Sequence, residues 1–197
     1  MSTLAVAQAE REQAWVQPSK GRVAMFCLIL AESTIFTIFV VAYVYNIGKS
    51  LYGPTPQILE VPIWNSIFLL SSSLTIWLAE RAVEHGRIKS FGLWWALTFV
   101  LGAIFLVGTG IEWHKLIYED GLTISTNLFG TTFYSLVGLH ASHVILGLIA
   151  LFTVLMFTVT GHVRKEHADR IQVLALYWHF VDAVWIVVFT VVYVIGR

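Results

Sequence analysis

Charge is scarce in this chain. Only 12% of the 197 residues are Asp, Glu, Lys or Arg, about half the share of an ordinary soluble domain, which argues against a water-soluble monomer. The 12 basic and 12 acidic side chains cancel, so there is no basic field to neutralise phosphates, and DNA and RNA drop out as partners. A single cysteine excludes an internal disulfide; Cys27 lies in an apolar run and is expected to act as a small buried hydrophobe. No phosphate-binding glycine loop, no cysteine–histidine ligand pattern and no nucleophile–base arrangement is present, so catalysis by this chain alone is not expected. Repeats, low-complexity tracts and a second domain are also missing.

What is abundant is hydrophobic sequence, 57% of residues, gathered in blocks long enough to cross a hydrocarbon core of roughly 30 Å at 1.5 Å per residue. Five membrane-spanning helices are expected, at about 23–48, 61–82, 90–112, 126–160 and 171–196, following a polar tail over 1–22. Glu32 is the only charge within the first block and Asp182 the only one within the fifth; the second is free of charge from Val61 to Ala79, and the third ends against Glu112. The fourth is ambiguous because Gly121–Val163 holds no charged residue at all. Two crossings would need a turn near 140–147, where neither Pro nor a Gly/Asn/Asp cluster occurs, so one long tilted or protruding helix is expected. The fold class is therefore an all-α polytopic membrane bundle.

Cytoplasmic loops carry the Lys and Arg excess. Arg11, Lys20, Arg22, Arg81, Arg87, Lys89, Arg164, Lys165 and Arg170 fall on one face, and only Lys49, Lys115 and Arg197 on the other. That split places the N-terminus in the cytoplasm and the C-terminus outside. The first apolar block is too long for a signal-peptide core and lacks a small-residue cleavage site, so it is expected to stay attached.

Small residues at Ser71-Ser72-Ser73, Gly108, Gly110 and the Gly138/Ser142 pair read as helix-packing positions. Tyr43, Tyr45, Trp64, Trp113, Tyr118 and Tyr193, near span ends, read as an interfacial aromatic belt.

Ionisable groups at membrane depth are more informative, since each costs at least about 2.5–3.5 kcal/mol there. Glu32 sits roughly ten residues into the first span. His140 and His143 share a face of the fourth, and His179 and Asp182 repeat that spacing on the fifth, where they are expected to partner each other. Glu112, at the outer end of the third, is closer to the interface. Three readings compete: a metal site, a haem held by His140 and His179, and a satisfied polar network. The metal reading lacks the paired Glu-x-x-His helices of di-iron bundles. His85, His114, His162 and His167 fall in loops or at span ends, where solvation accounts for them; His85, His162 and His167 could collect protons on the cytoplasmic face.

Four stretches carry a likeness to a known family: Leu30–Tyr45 (LAESTIFTIFVVAYVY), Leu59–Lys89 (LEVPIWNSIFLLSSSLTIWLAERAVEHGRIK), Gly130–Gly147 (GTTFYSLVGLHASHVILG) and Tyr177–Tyr193 (YWHFVDAVWIVVFTVVY), with Gly110–His114 (GIEWH) before the outer loop. The chain resembles subunit III of the haem-copper cytochrome c oxidases. That resemblance implies an accessory subunit of a bacterial cytoplasmic (inner) membrane. Haem and copper lie in its partners, oxidase subunits I and II, and a larger respiratory supercomplex is left open as a further partner. The catalytic partner reduces dioxygen to water and pumps protons; subunit III stabilises it, supports proton uptake and binds phospholipid in a cleft. By position Glu32 matches the family's buried glutamate. His140 and His143 match its Gly-aromatic-His-x-x-His stretch, with Leu139 in place of the aromatic, and His179 and Asp182 match unchanged.

Two departures stand out. The seven-helix members have two further N-terminal helices that wall the lipid cleft, for which residues 1–22 leave no room, and a histidine pair of many members is replaced by Glu80-Arg81. Five-helix members also occur with nitric oxide reductases, which leaves that complex as an alternative, and an independent b-type cytochrome using His140 and His179 is another. The leading expectation is that Glu32, His140, His143, His179 and Asp182 form one buried polar network.

Overall fold

The computed structural model describes residues 19–50 and 52–196; residues 1–18 of the polar tail, with Arg11, and Arg197 lie outside the described residues. Five helices long and apolar enough to cross a membrane make up the described chain. They are α1 (Lys20–Asn46), α2 (Ile63–Glu84), α3 (Ile88–Tyr118), α4 (Leu128–Val159) and α5 (Ala168–Phe189), the last continued by a π-helical turn, Thr190–Ile195. Helices are what such sequence must form in lipid, because no water is there to bond a free N–H or C=O. The long uncharged stretch holds a single helix, α4. Helix α3 runs past Ile111 to Tyr118, so Glu112 lies inside it rather than at its end.

The ends are set by local chemistry. Ser19 Oγ accepts from Arg22 N at the start of α1, and Asn127 Oδ1 accepts from Gly130 N (2.8 Å) at the start of α4. The α2–α3 hairpin turns at Gly86, whose φ of +70° a side chain would oppose. At the basic end of the bundle, Arg22 pairs with Asp169 (3.0 Å) and donates to Gln172, which in turn donates to Glu84. This clasp joins the starts of α1 and α5 to the end of α2.

Helices α1, α4, α3 and α2 form an arc, each packed on the next, and α5 lies in its hollow against α1, α2 and α4. Three buried tryptophans lock the arc, each tying its indole N–H to a neighbouring helix: Trp95 to Leu151 O (2.9 Å), Trp178 to Ser72 Oγ (2.8 Å) and Trp185 to Ser66 Oγ (3.1 Å). Trp178 fits only because Gly102 and Gly147 face it; a Cβ on either would sit 2.7 Å from its ring. Such close approach through glycine is how helices gain van der Waals contact in lipid, where burial gives no hydrophobic gain.

The outward surface is apolar: Val23, Phe26 and Leu30 on α1, Leu93, Val100 and Val107 on α3, and Leu146, Ile149 and Phe157 on α4 are all exposed. Cys27 belongs to that surface and is exposed, contrary to its expected burial. An apolar neighbourhood in sequence marks the lipid side of a membrane helix as readily as its core. The aromatic belt needs a similar correction. Tyr45, Trp64 and Tyr118 are exposed, but Tyr43 and Tyr193 are core residues. The π turn, closed by Gly196 N to Val191 O at 2.9 Å, brings Tyr193 inward.

Candidate functional site: polar groups at membrane depth

The candidate residues do not meet in one network. They divide among four places, three made by different pairs of helices and the fourth, around His140, by four helices together.

Glu32 of α1 reaches His143 of α4, Oε2 to Nε2 3.2 Å, and remains 23% exposed. His143 Nδ1 lies 2.8 Å from Leu139 O. A carbonyl can only accept, so Nδ1 carries a hydrogen, and the contact with Glu32 then needs one more proton, on Nε2 or on the carboxyl. Phe36 packs on the His143 ring at 5.0 Å, and Tyr177 donates to His143 O at 3.2 Å.

Asp182 of α5 is 2% exposed and turns to α2, where its Oδ2 meets the hydroxyls of Ser73 and, at 3.4 Å, Ser72. The expected direct partnership with His179 is not formed. His179 reaches Asp182 through Ser73, whose Oγ is 3.2 Å from His179 Nδ1, and its Nε2 faces Glu80 at 3.7 Å. Helical spacing puts His179 and Asp182 on one side of α5, but the short Asp side chain meets the serine hydroxyls of α2 first.

Glu112 of α3 accepts from Tyr193 at 2.9 Å. His140 of α4 stands apart. It is 1% exposed, stacked on Trp185 (5.0 Å, 29°) with Phe105 and Phe36 at its edges, and neither ring nitrogen has a hydrogen-bond partner among the described residues. An unsatisfied buried group of this kind costs about 1–3 kcal/mol.

His140 thus looks into the α1/α3/α5 aromatic cluster while His179 looks to α2, so the two do not face one another as axial ligands must. Among the described residues no three His, Cys, Asp or Glu side chains come together in a way that could hold a metal ion.

Ser72, Ser73 and Glu80 were not among the sequence candidates. The serines had read as packing residues. For Ser73 and Glu80 the available signal was a stripe: Ser66, Ser73 and Glu80 recur at seven-residue intervals, two turns apart on one face of α2. In the segment before α2, Glu60 accepts a hydrogen bond from Lys115 in the last turn of α3, and that bond and then the Lys115 charge hold the Glu60 carboxyl below the usual carboxylate range.

The family model described as cytochrome c oxidase subunit III matches residues 16–197. Among curated proteins the chain is similar to cytochrome c oxidase subunit 3 of Alkalihalophilus pseudofirmus, 32% identical over 94% of this chain and 91% of that protein. It is similar to the subunit 3 of a Synechocystis species at 38% identity, over 85% of this chain and 72% of that protein. The Bacillus subtilis protein of the same name is 34% identical over 90% of this chain and 87% of its own length.

Proposed function

The chain belongs to the cytochrome c oxidase subunit III family, and from that premise we propose that it is the accessory subunit III of a bacterial haem-copper cytochrome c oxidase, packed beside subunits I and II in the cytoplasmic membrane. The observation that carries the reading is a family match over the whole described bundle, whose described residues form five helices long and apolar enough to span a membrane. The alternatives find no support. The relatives are cytochrome c oxidase subunits, and the histidines a b-type haem would need face apart.

In this role the chain stabilises its catalytic partner and supports proton uptake, with the N-terminus cytoplasmic and the C-terminus outside. Described basic residues at the starts of α1, α3 and α5 and the ends of α2 and α4 support that orientation. Phospholipid binding is supported by a cavity of about 760 Å³ where α4 meets α5. Phe157, Ile171 and Leu174 wall it for acyl chains, and Arg164, His167 and Arg170 rim it at headgroup level. Purifying the chain in mild detergent tests the role: haem-copper subunits I and II should accompany it in equal amount. Recovery of the chain with no haem-copper subunit would refute it, and larger respiratory assemblies would show as additional companions.

A further inference from the structure

The α2–α5 seam holds a line of polar groups that begins at water and stops inside the bundle. At the basic end, a cavity of about 270 Å³ is lined by Trp77, Glu80, Arg81, Glu84, His85 and Gln172. From Glu80 the line runs to His179 Nε2 (3.7 Å), from His179 Nδ1 to Ser73 Oγ (3.2 Å), and from Ser73 to Asp182 Oδ2. The Glu80–His179 gap is within one side-chain swing. Among the described residues the line ends at Asp182: its Oδ1 is buried with no partner there, and Trp178 is held by Ser72 and Trp185 by Ser66.

The count of hydrogens along this line is what makes it more than a packing contact. Ser72 lies 2.6 Å from Leu69 O and already accepts from Trp178, so its one hydrogen is committed to Leu69 and none remains for Asp182. Ser73 also has one hydrogen, for two acceptors-in-waiting, Asp182 Oδ2 and His179 Nδ1. Two arrangements satisfy all three groups and differ by one proton: His179 Nδ1–H donates to Ser73 and Ser73 to an Asp182 carboxylate, or a protonated Asp182 donates to Ser73 and Ser73 to a bare His179 Nδ1.

We propose that the α2–α5 seam is a one-ended proton branch, in which Asp182 takes up a proton from the cytoplasmic water through Glu80, His179 and Ser73 and returns it by the same way. In uptake, a Glu80 carboxyl gives its proton to His179 Nε2. His179 releases its Nδ1 hydrogen to Ser73 Oγ, and the Ser73 hydroxyl hydrogen passes to Asp182 Oδ2. Glu80 ends as the carboxylate, His179 as the other neutral tautomer, Ser73 unchanged and Asp182 as the acid, so one proton has moved and no electron has. The titratable groups that face this line are Glu80 from α2 and His179 from α5, with Arg81, Glu84 and His85 at its mouth. From α4, His140 lies behind Trp185, and the Glu32–His143 pair of α1 and α4 is joined to α5 by Tyr177 rather than by Asp182.

The branch deepens the proton-uptake part of the reading above, and its test is independent of that reading's failure. If the chain is no oxidase subunit, haem-copper companions will be absent on purification, whereas the branch is read from a carboxyl vibration in whatever complex holds the full chain. Infrared difference spectra across a pH jump should show a protonated-carboxyl C=O band that disappears in Asp182→Asn. Transfer to heavy water should shift that band, and Glu80→Gln and Ser73→Ala should each slow the shift by at least about tenfold. Unaltered exchange in both variants, or a wild-type band that persists in Asp182→Asn, would overturn the proposal. Should Asp182→Asn fail to fold, the exchange rates of the other two variants still decide between the outcomes.

Discussion

The α1–α4 seam and the α2–α5 seam each bury an acid beside a histidine, yet they solve the problem differently. In the first, Glu32 meets His143 directly, and the pair stays partly open to the outside of the bundle. In the second, Asp182 is enclosed, and the Ser73 hydroxyl stands between it and its histidine. The difference follows from what each helix offers. Helix α1 lies on the rim of the arc with only Phe36 and Tyr43 buried, and its long Glu side chain must reach across to α4. Helix α5 lies in the hollow, where a short carboxylate finds the small hydroxyls of α2 already in contact. Direct pairing therefore belongs to the edge, and relayed pairing to the centre.

That contrast can be broken most severely at the centre. Trp178→Ala removes the wedge between Gly102 and Gly147 and takes away the donor to Ser72. It should cost about 3–5 kcal/mol, as large-to-small core changes do, read as a lower thermal midpoint in detergent and loss of the chain from its complex. Ser72→Ala should cost about 1–3 kcal/mol, because the Trp178 N–H is then buried without a partner. The same measurement checks it, and a midpoint unchanged from wild type would mean that the indole finds another acceptor.

At the edge the effect should be smaller. Glu32→Gln keeps a side chain that can bond His143 and should cost about 1 kcal/mol or less, leaving assembly intact while altering proton-uptake kinetics or turnover durability. Wild-type behaviour in both would leave Glu32 with no part beyond packing. His179→Leu sharpens the comparison. Because Ser73, not His179, touches Asp182, retention of the chain should weaken less in His179→Leu than in Ser72→Ala.

The smallest effect belongs at the exposed Glu60–Lys115 pair. Glu60 has its carboxyl held low in the folded chain, so this pair's stabilisation is present above the ordinary carboxylate range and lost as pH falls through the lowered value. Lys115→Gln should leave the thermal midpoint near neutrality almost unchanged and flatten its dependence on pH only in acid. A loss of stability near neutrality would show that Lys115 has a further role.

Much of this molecule was legible before its structure. The number of spans followed from apolar block length, because a lipid-crossing helix needs about 20 residues whatever its neighbours are. The functional family was legible from residues such as the Tyr177–Asp182 run. Partner choice was not. Ser71-Ser72-Ser73 reads equally as close packing or as a donor row, and only the placement of α2 against α5 distinguishes Ser72 and Ser73 from Ser71, which bonds back to Phe68 O. Tyr193 reads as an interfacial anchor because sequence distance from a span end is blind to the π turn that rotates it onto Glu112.

Sequence by itself determined that the chain must form apolar helices and that a handful of ionisable groups would be carried to membrane depth, since both follow from transfer energies summed along the chain. Only the tertiary structure decided which of those groups meet. A helix reports which residues share a face, but the packing of the arc around α5 sets what that face touches, and at hydrogen-bond range a difference of one side-chain length separates a direct acid–histidine pair from one relayed through serine.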